Sequence, residues 1–92
     1  MTTVDAVFRD RYGLHPRSAM RIQQAAAAFG SAITIQGLDS GTAAISAASM
    51  IALVSAGIRA GEKIRITADG PDEAAAAEAV RALCEAGVCH PG

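Results

Sequence analysis

At 92 residues the chain can bury one compact core and little more, about 60–65% of its unfolded surface. With 8 Lys+Arg against 9 Asp+Glu the net charge is −1, which excludes a sequence-independent grip on nucleic acid or an anionic membrane. No apolar run approaches the roughly 20 residues that cross a bilayer, and Met1-Thr2-Thr3-Val4-Asp5 lacks the basic-then-apolar pattern of a leader, so a single cytoplasmic domain without membrane insertion is expected.

Val4, Ala6 and Phe8 alternate with Asp5, Val7 and Arg9, the period of a strand with one face on a core. Tyr12-Gly13 breaks that pattern. From Pro16 the apolar positions Ala19, Ile22, Ala26 and Phe29 fall at helical spacing, and Gly30 can end the helix. Residues 31–36 alternate again, and the turn Gly37 to Gly41 leads into a strand over Thr42–Ile45, which reads as a hairpin. A short helix is predicted over Ser46–Ala56, closed by Gly57; its Met50, Ile51, Leu53 and Val54 leave almost no polar face. Lys63 to Ala68 alternates with Ile64, Ile66 and Ala68 on one side. Pro71-Asp72-Glu73 then opens a last helix with Ala76, Val80 and Leu83 as its stripe, and from about residue 87 the tail is expected to be loose. Half-buried strands with interleaved helices fit an α+β sandwich, one sheet face covered and the other partly wet.

With no Trp, one Tyr and two Phe, the 51% hydrophobic fraction implies a core of Ala, Ile, Val, Leu and Met packed closely. Cys84, Cys89 and His90 supply three possible metal ligands where a structural zinc site needs four, so no metal is expected and Cys84 reads as a buried helical residue.

His15 can take the cap position of the first helix with Pro16 at its first residue. A helix start presents unpaired N–H groups and about half a positive charge, which stabilise an anion. A neutral imidazole there is a nucleophile, and a phosphoryl group on it would be such an anion. Arg17 adds a planar fork of donors suited to phosphate oxygens.

Gly13-Leu14-His15-Pro16-Arg17-Ser18-Ala19 resembles the active-site signature of the HPr family, usually Gly-Leu-His-x-Arg-Pro-Ala, and Ser46 to Leu53 with Ala56-Gly57 resembles the family's second signature. The resemblance runs from Val4 to Glu85. It implies a βαββαβα open-faced sandwich, an antiparallel sheet of four strands covered on one face by three helices. It also implies a phosphocarrier that is charged on His15 by phosphorylated Enzyme I, that hands the group to sugar-specific Enzyme II A components, and that needs no cofactor of its own. Arg17 would stabilise the phosphate and Ser49 would match a site modified by a serine kinase in some lineages. Met20, Met50, Ile51 and Val54 match the partner-docking surface, and Arg17 and Arg21 would give it a basic rim for acidic partners.

Two departures from the family pattern bear on the site. Pro16 follows His15 directly and cannot donate an N–H, while Ser18 stands where proline is usual, which leaves the Arg17 and Ser18 N–H groups, and the Ser18 hydroxyl as an extra donor. Ala48 replaces the basic residue before the regulatory serine, and the Gly37–Gly41 turn is longer than in enteric relatives; a local helix-start hydrogen bond is the other reading of Ser49. The competing functions are a docking module with little phosphoryl transfer, and a carrier in a nitrogen-related or dihydroxyacetone kinase branch.

Overall fold

The structure is a computed structural model that describes residues 1–9 and 13–86. Its elements are β1 (Thr2–Val7), α1 (Pro16–Ala27), β2 (Ala32–Gly37), β3 (Ile45–Ser46), α2 (Met50–Ser55), β4 (Lys63–Asp69) and α3 (Glu73–Glu85). The strands form one antiparallel sheet in the order β1-β4-β2-β3. This is the open-faced α+β sandwich implied by the resemblance.

Alternation decides the two sheet faces. Ala6, Phe8, Ile33, Ile35, Ile64, Ile66 and Ala68 turn into the core. The other face is wet: Asp5 lies opposite Arg65, whose Nε donates to Asp5 Oδ1 at 2.9 Å, and the Thr3 and Thr67 hydroxyls are 3.4 Å apart. The first helix buries Ala19, Ile22 and Ala26 as its spacing predicts. In α3 the buried stripe is Ala76, Ala77, Val80 and Cys84, with Leu83 only half-buried, so the helix is turned toward Cys84 to pack on β1 and β4.

Three predicted boundaries move: α1 ends at Ala27, which leaves Phe29 beyond the helix and only partly buried, and the third strand and α2 both begin later. Thr42 does not begin a strand: its N–H donates to Gly37 O at 3.1 Å and its hydroxyl accepts the Gly37 N–H at 2.9 Å, which closes the turn on itself. The third strand is therefore only Ile45–Ser46, paired to Thr34 and Ile35. Ser46 consequently lies in the sheet, and α2 begins at Met50 with Ser49 as its cap, the hydroxyl accepting the Ala52 N–H at 3.2 Å.

At the opposite end Asp72 joins α3 to the exit of α1, accepting the Gly30 N–H at 2.9 Å and the Ser31 hydroxyl at 2.5 Å. These donors hold its carboxyl below the usual aspartate range.

Candidate functional site

His15 is the N-cap of α1, with extended backbone (φ −123°, ψ 175°) and Pro16 at the first helical position. Proline belongs there because its fixed φ suits a helix start and its missing N–H would find no intrahelical partner. A capping box locks the turn. The His15 N–H donates to Ser18 Oγ at 3.0 Å, and the reciprocal half places the His15 side chain on the backbone N–H of Ser18.

Ser18 is fully buried, and its hydroxyl donates back to His15 O at 3.0 Å, with Gly13 O at 3.4 Å as the alternative. Its hydroxyl hydrogen is thus directed at the main chain, while its N–H faces the imidazole. Arg17 stands exposed in the same first turn and His15 is half-buried.

The approach to His15 is fixed by a residue pair that local sequence patterns do not reveal. Leu14 N–H donates to Ile58 O at 2.9 Å. Gly13 has φ +74°, and a Cβ there would lie 2.9 Å from the same carbonyl oxygen, so glycine is required by conformation and by space. The sequence offers only the glycine, as the break after the first strand; its partner lies in the segment between α2 and β4.

Of the other predicted residues, Met50, Ile51 and Val54 come together with Ser55 around a shallow depression of about 270 Å³. Ile51 is 82% exposed, which is unusual for an isoleucine. Met20 and Arg21 are exposed on α1, which packs beside α2, and Gln23 Nε2 donates at 3.2 Å to Ala48 O, just before the α2 cap. Ser49 is half-buried, at the α2 cap.

Cys84 is buried, and burial first, then the Glu85 charge, pushes its thiol up to about 12, so it stays protonated and inert at neutral pH. Among the described residues no group of three or more His, Cys, Asp or Glu side chains could hold a metal ion, and no helix is long and apolar enough to cross a membrane. Cys89 and His90, like the tail from residue 87, lie outside the described residues.

Comparison with known proteins settles what this arrangement is related to. The family described as "PTS HPr component phosphorylation site" matches residues 3–86. The chain belongs to the HPr family. HPr proteins are the phosphocarriers of the phosphotransferase system. Among solved structures, HPr-C-His from Thermoanaerobacter tengcongensis superposes with a TM-score of 0.86 at 28% identity, covering 98% of both chains. The phosphocarrier protein HPr of Bacillus anthracis gives 0.82 at 29% identity, over 90% of this chain and 95% of its own. The multiphosphoryl transfer protein of Vibrio cholerae is 31% identical over 85 residues, 90% of this chain but 21% of that protein. This HPr chain therefore spans about a fifth of the length of the curated relatives it matches.

Proposed function

We propose that this chain accepts a phosphoryl group on His15 from phosphorylated Enzyme I and passes it to sugar-specific Enzyme II A components, in the cytoplasm. The observation that carries this reading is the seat of His15 at the start of α1, its side chain on the Ser18 N–H. In the exchange, a ring nitrogen of His15 forms a bond to phosphorus in line with the donor's breaking N–P bond. The group moves without net change in charge, through a loose transition state that requires position and electrostatics more than covalent machinery.

Charge on the phosphoryl oxygens would meet the positive end of α1. Pro16 has no N–H, so the backbone donors of that turn are Arg17 and Ser18, with the Arg17 guanidinium as the fixed positive charge. The Ser18 hydroxyl serves the capping box and its N–H faces the imidazole, so that N–H would reach a phosphoryl oxygen only by leaving the ring. An exposed anion at a helix start gains about 0.3–1 kcal/mol, a hold weak enough for the group to be passed on.

Met20, Arg21, Met50, Ile51 and Val54 would form the docking face for each partner in turn, apolar at its centre with a basic rim. Phosphorylation of Ser49 by a serine kinase would set a charge of about −1.5 to −2 beside that face and oppose docking.

The test is incubation with phosphoenolpyruvate and Enzyme I, reading mass gain and acid lability for the wild type, His15→Ala and His15→Asn. Asparagine is a good N-cap and preserves the helix start while removing the nucleophile. An acid-labile phosphoryl group on the wild type, absent from both variants, is expected; a group retained by His15→Asn refutes the assignment. What favours the docking-module reading is that Pro16 and Ser18 move the missing backbone donor of the first turn to a different place, and partner binding without any transfer would put that reading first.

A further inference from the structure

Among the described residues, Ser18 and Glu62 are the polar side chains buried in the fold, and Glu62 is only 4% exposed. A carboxylate withdrawn from water needs donors in place of hydration. Its Oε1 accepts the Arg59 N–H at 3.0 Å, and its Oε2 accepts the Ser40 N–H at 2.8 Å and the Ser40 hydroxyl. Burial by itself pushes this carboxyl up, but the donors from Ser40 and Arg59, helped by the Arg59 charge, outweigh it and hold the group below the usual glutamate range. Glu62 also lies tightly against β2, where a Cβ on Gly37 would come within 2.5 Å of Oε2.

The turn folded around this carboxylate is bonded to Phe8 and to Leu14, the residue directly before His15. Glu62 N–H donates to Arg59 O at 3.1 Å and closes the turn. Phe8, directly after β1, donates its N–H to Glu62 O at 2.9 Å and accepts the Gly61 N–H at 2.6 Å. Leu14, directly before His15, donates to Ile58 O at 2.9 Å. Residues 58–62 thus hold the chain at Phe8, where β1 ends, and at Leu14, directly before His15.

We propose that Glu62 is a positioning residue for phosphoryl exchange at His15: its buried carboxylate shapes the 58–62 turn that holds Phe8 and Leu14, and so fixes where the imidazole stands. This rests on the reading of His15 as the acceptor. In-line transfer between two proteins needs the nucleophile in place before the partner arrives, and a displacement of about 1 Å can slow such a step roughly 100-fold.

The test compares Glu62→Ala and Ser40→Ala with the wild type, well below their melting temperatures. It measures kcat and KM for transfer from phosphorylated Enzyme I, and hydrogen exchange at the Leu14 amide. Glu62→Ala should lower kcat roughly tenfold or more with KM within about twofold, because the docking face is untouched. It should also strip protection from the Leu14 amide. Ser40→Ala keeps the Arg59 bond and should keep both kcat and Leu14 protection. If Glu62→Ala does not fold, Glu62→Asp, one methylene too short to reach Arg59 and Ser40 together, takes its place with the same expectation. Wild-type kcat or an unchanged Leu14 amide in the Glu62 variant overturns the proposal alone, as does an equal loss in Ser40→Ala. A wild-type chain that accepts no phosphoryl group overturns the His15 reading and this inference with it.

Discussion

Replacing Gly13 by alanine tests how the site is held, because Gly41 provides a matched control. Both glycines have left-handed backbone, φ +74° and +71°, but a Cβ at Gly13 would lie 2.9 Å from Ile58 O while one at Gly41 meets nothing within 4 Å. Left-handed conformation costs alanine about 1–2 kcal/mol. Loss of unfolded-state freedom returns about 0.4–1 kcal/mol. These two effects are shared, so Gly41→Ala should destabilise by about 0.5–1 kcal/mol. At Gly13 the Ile58 carbonyl must also retreat, which breaks its 2.9 Å bond from the Leu14 N–H. Leaving that donor unpaired adds about 1–3 kcal/mol, for a total of about 1.5–4 kcal/mol. In urea, with a slope of about 1–2 kcal/mol per molar, the Gly13→Ala midpoint should fall by about 1–4 M and that of Gly41→Ala by under about 1 M. Circular dichroism during urea titration measures both, and equal midpoints would refute the argument that Ile58 constrains Gly13.

Ile66, fully buried on the central strand β4 and paired in register with Val4 and Ile35, should lose about 2–5 kcal/mol on change to alanine; a urea midpoint moved by much less would mean that the core closes over the gap. The Asp72 carboxyl is held low chiefly by the Ser31 hydroxyl and then by the Gly30 N–H, so its contribution is present above the unfolded value of about 3.9 and is lost as pH falls through the lower folded value. Asp72→Asn should therefore flatten the fall in urea midpoint below about pH 4, and an unaltered acid limb contradicts the bonds assigned to it. Ser49→Ala removes the bond from the Ala52 N–H and should lower stability by about 1 kcal/mol. Ser49→Asp should restore the cap yet slow exchange with Enzyme I, because it sets a charge beside Met50 and Ile51; exchange at the wild-type rate would argue against a docking role for that face.

The candidate site was legible to the extent that it is local. His15 at the cap, Pro16 at the first helical residue and Arg17 in the first turn follow from one stretch of chain, since a helix start is specified by its own few residues. Ser18 was only half legible: its place in the first turn is local, but full burial, which directs its hydroxyl to the main chain, depends on what packs around it. Glu62 carried no signal at all, because an acid between a glycine and an alternating strand reads as a solvated turn residue until the Gly37–Gly41 turn folds over it.

The same division holds for the fold. Periodicity by itself determined β1, β4 and the Ala19, Ile22 and Ala26 stripe of α1, because alternation and the helical repeat are properties of contiguous residues whose apolar face must be buried, whereas packing on β1 and β4 turned the α3 stripe from Leu83 to Cys84. Tertiary structure decided the order β1-β4-β2-β3, the shrinking of β3 to Ile45–Ser46, the start of α2 at Met50 and the grip of residues 58–62 on Phe8 and Leu14. The strand order and the grip of residues 58–62 depend on hydrogen bonds to residues distant in the chain, while the β3 and α2 starts turn on side-chain hydroxyls, Thr42 and Ser49, whose choice of a backbone partner periodicity does not record. Whether Thr42 extends a strand or closes a turn, and whether Glu62 meets water or Ser40, is settled only when the partner arrives.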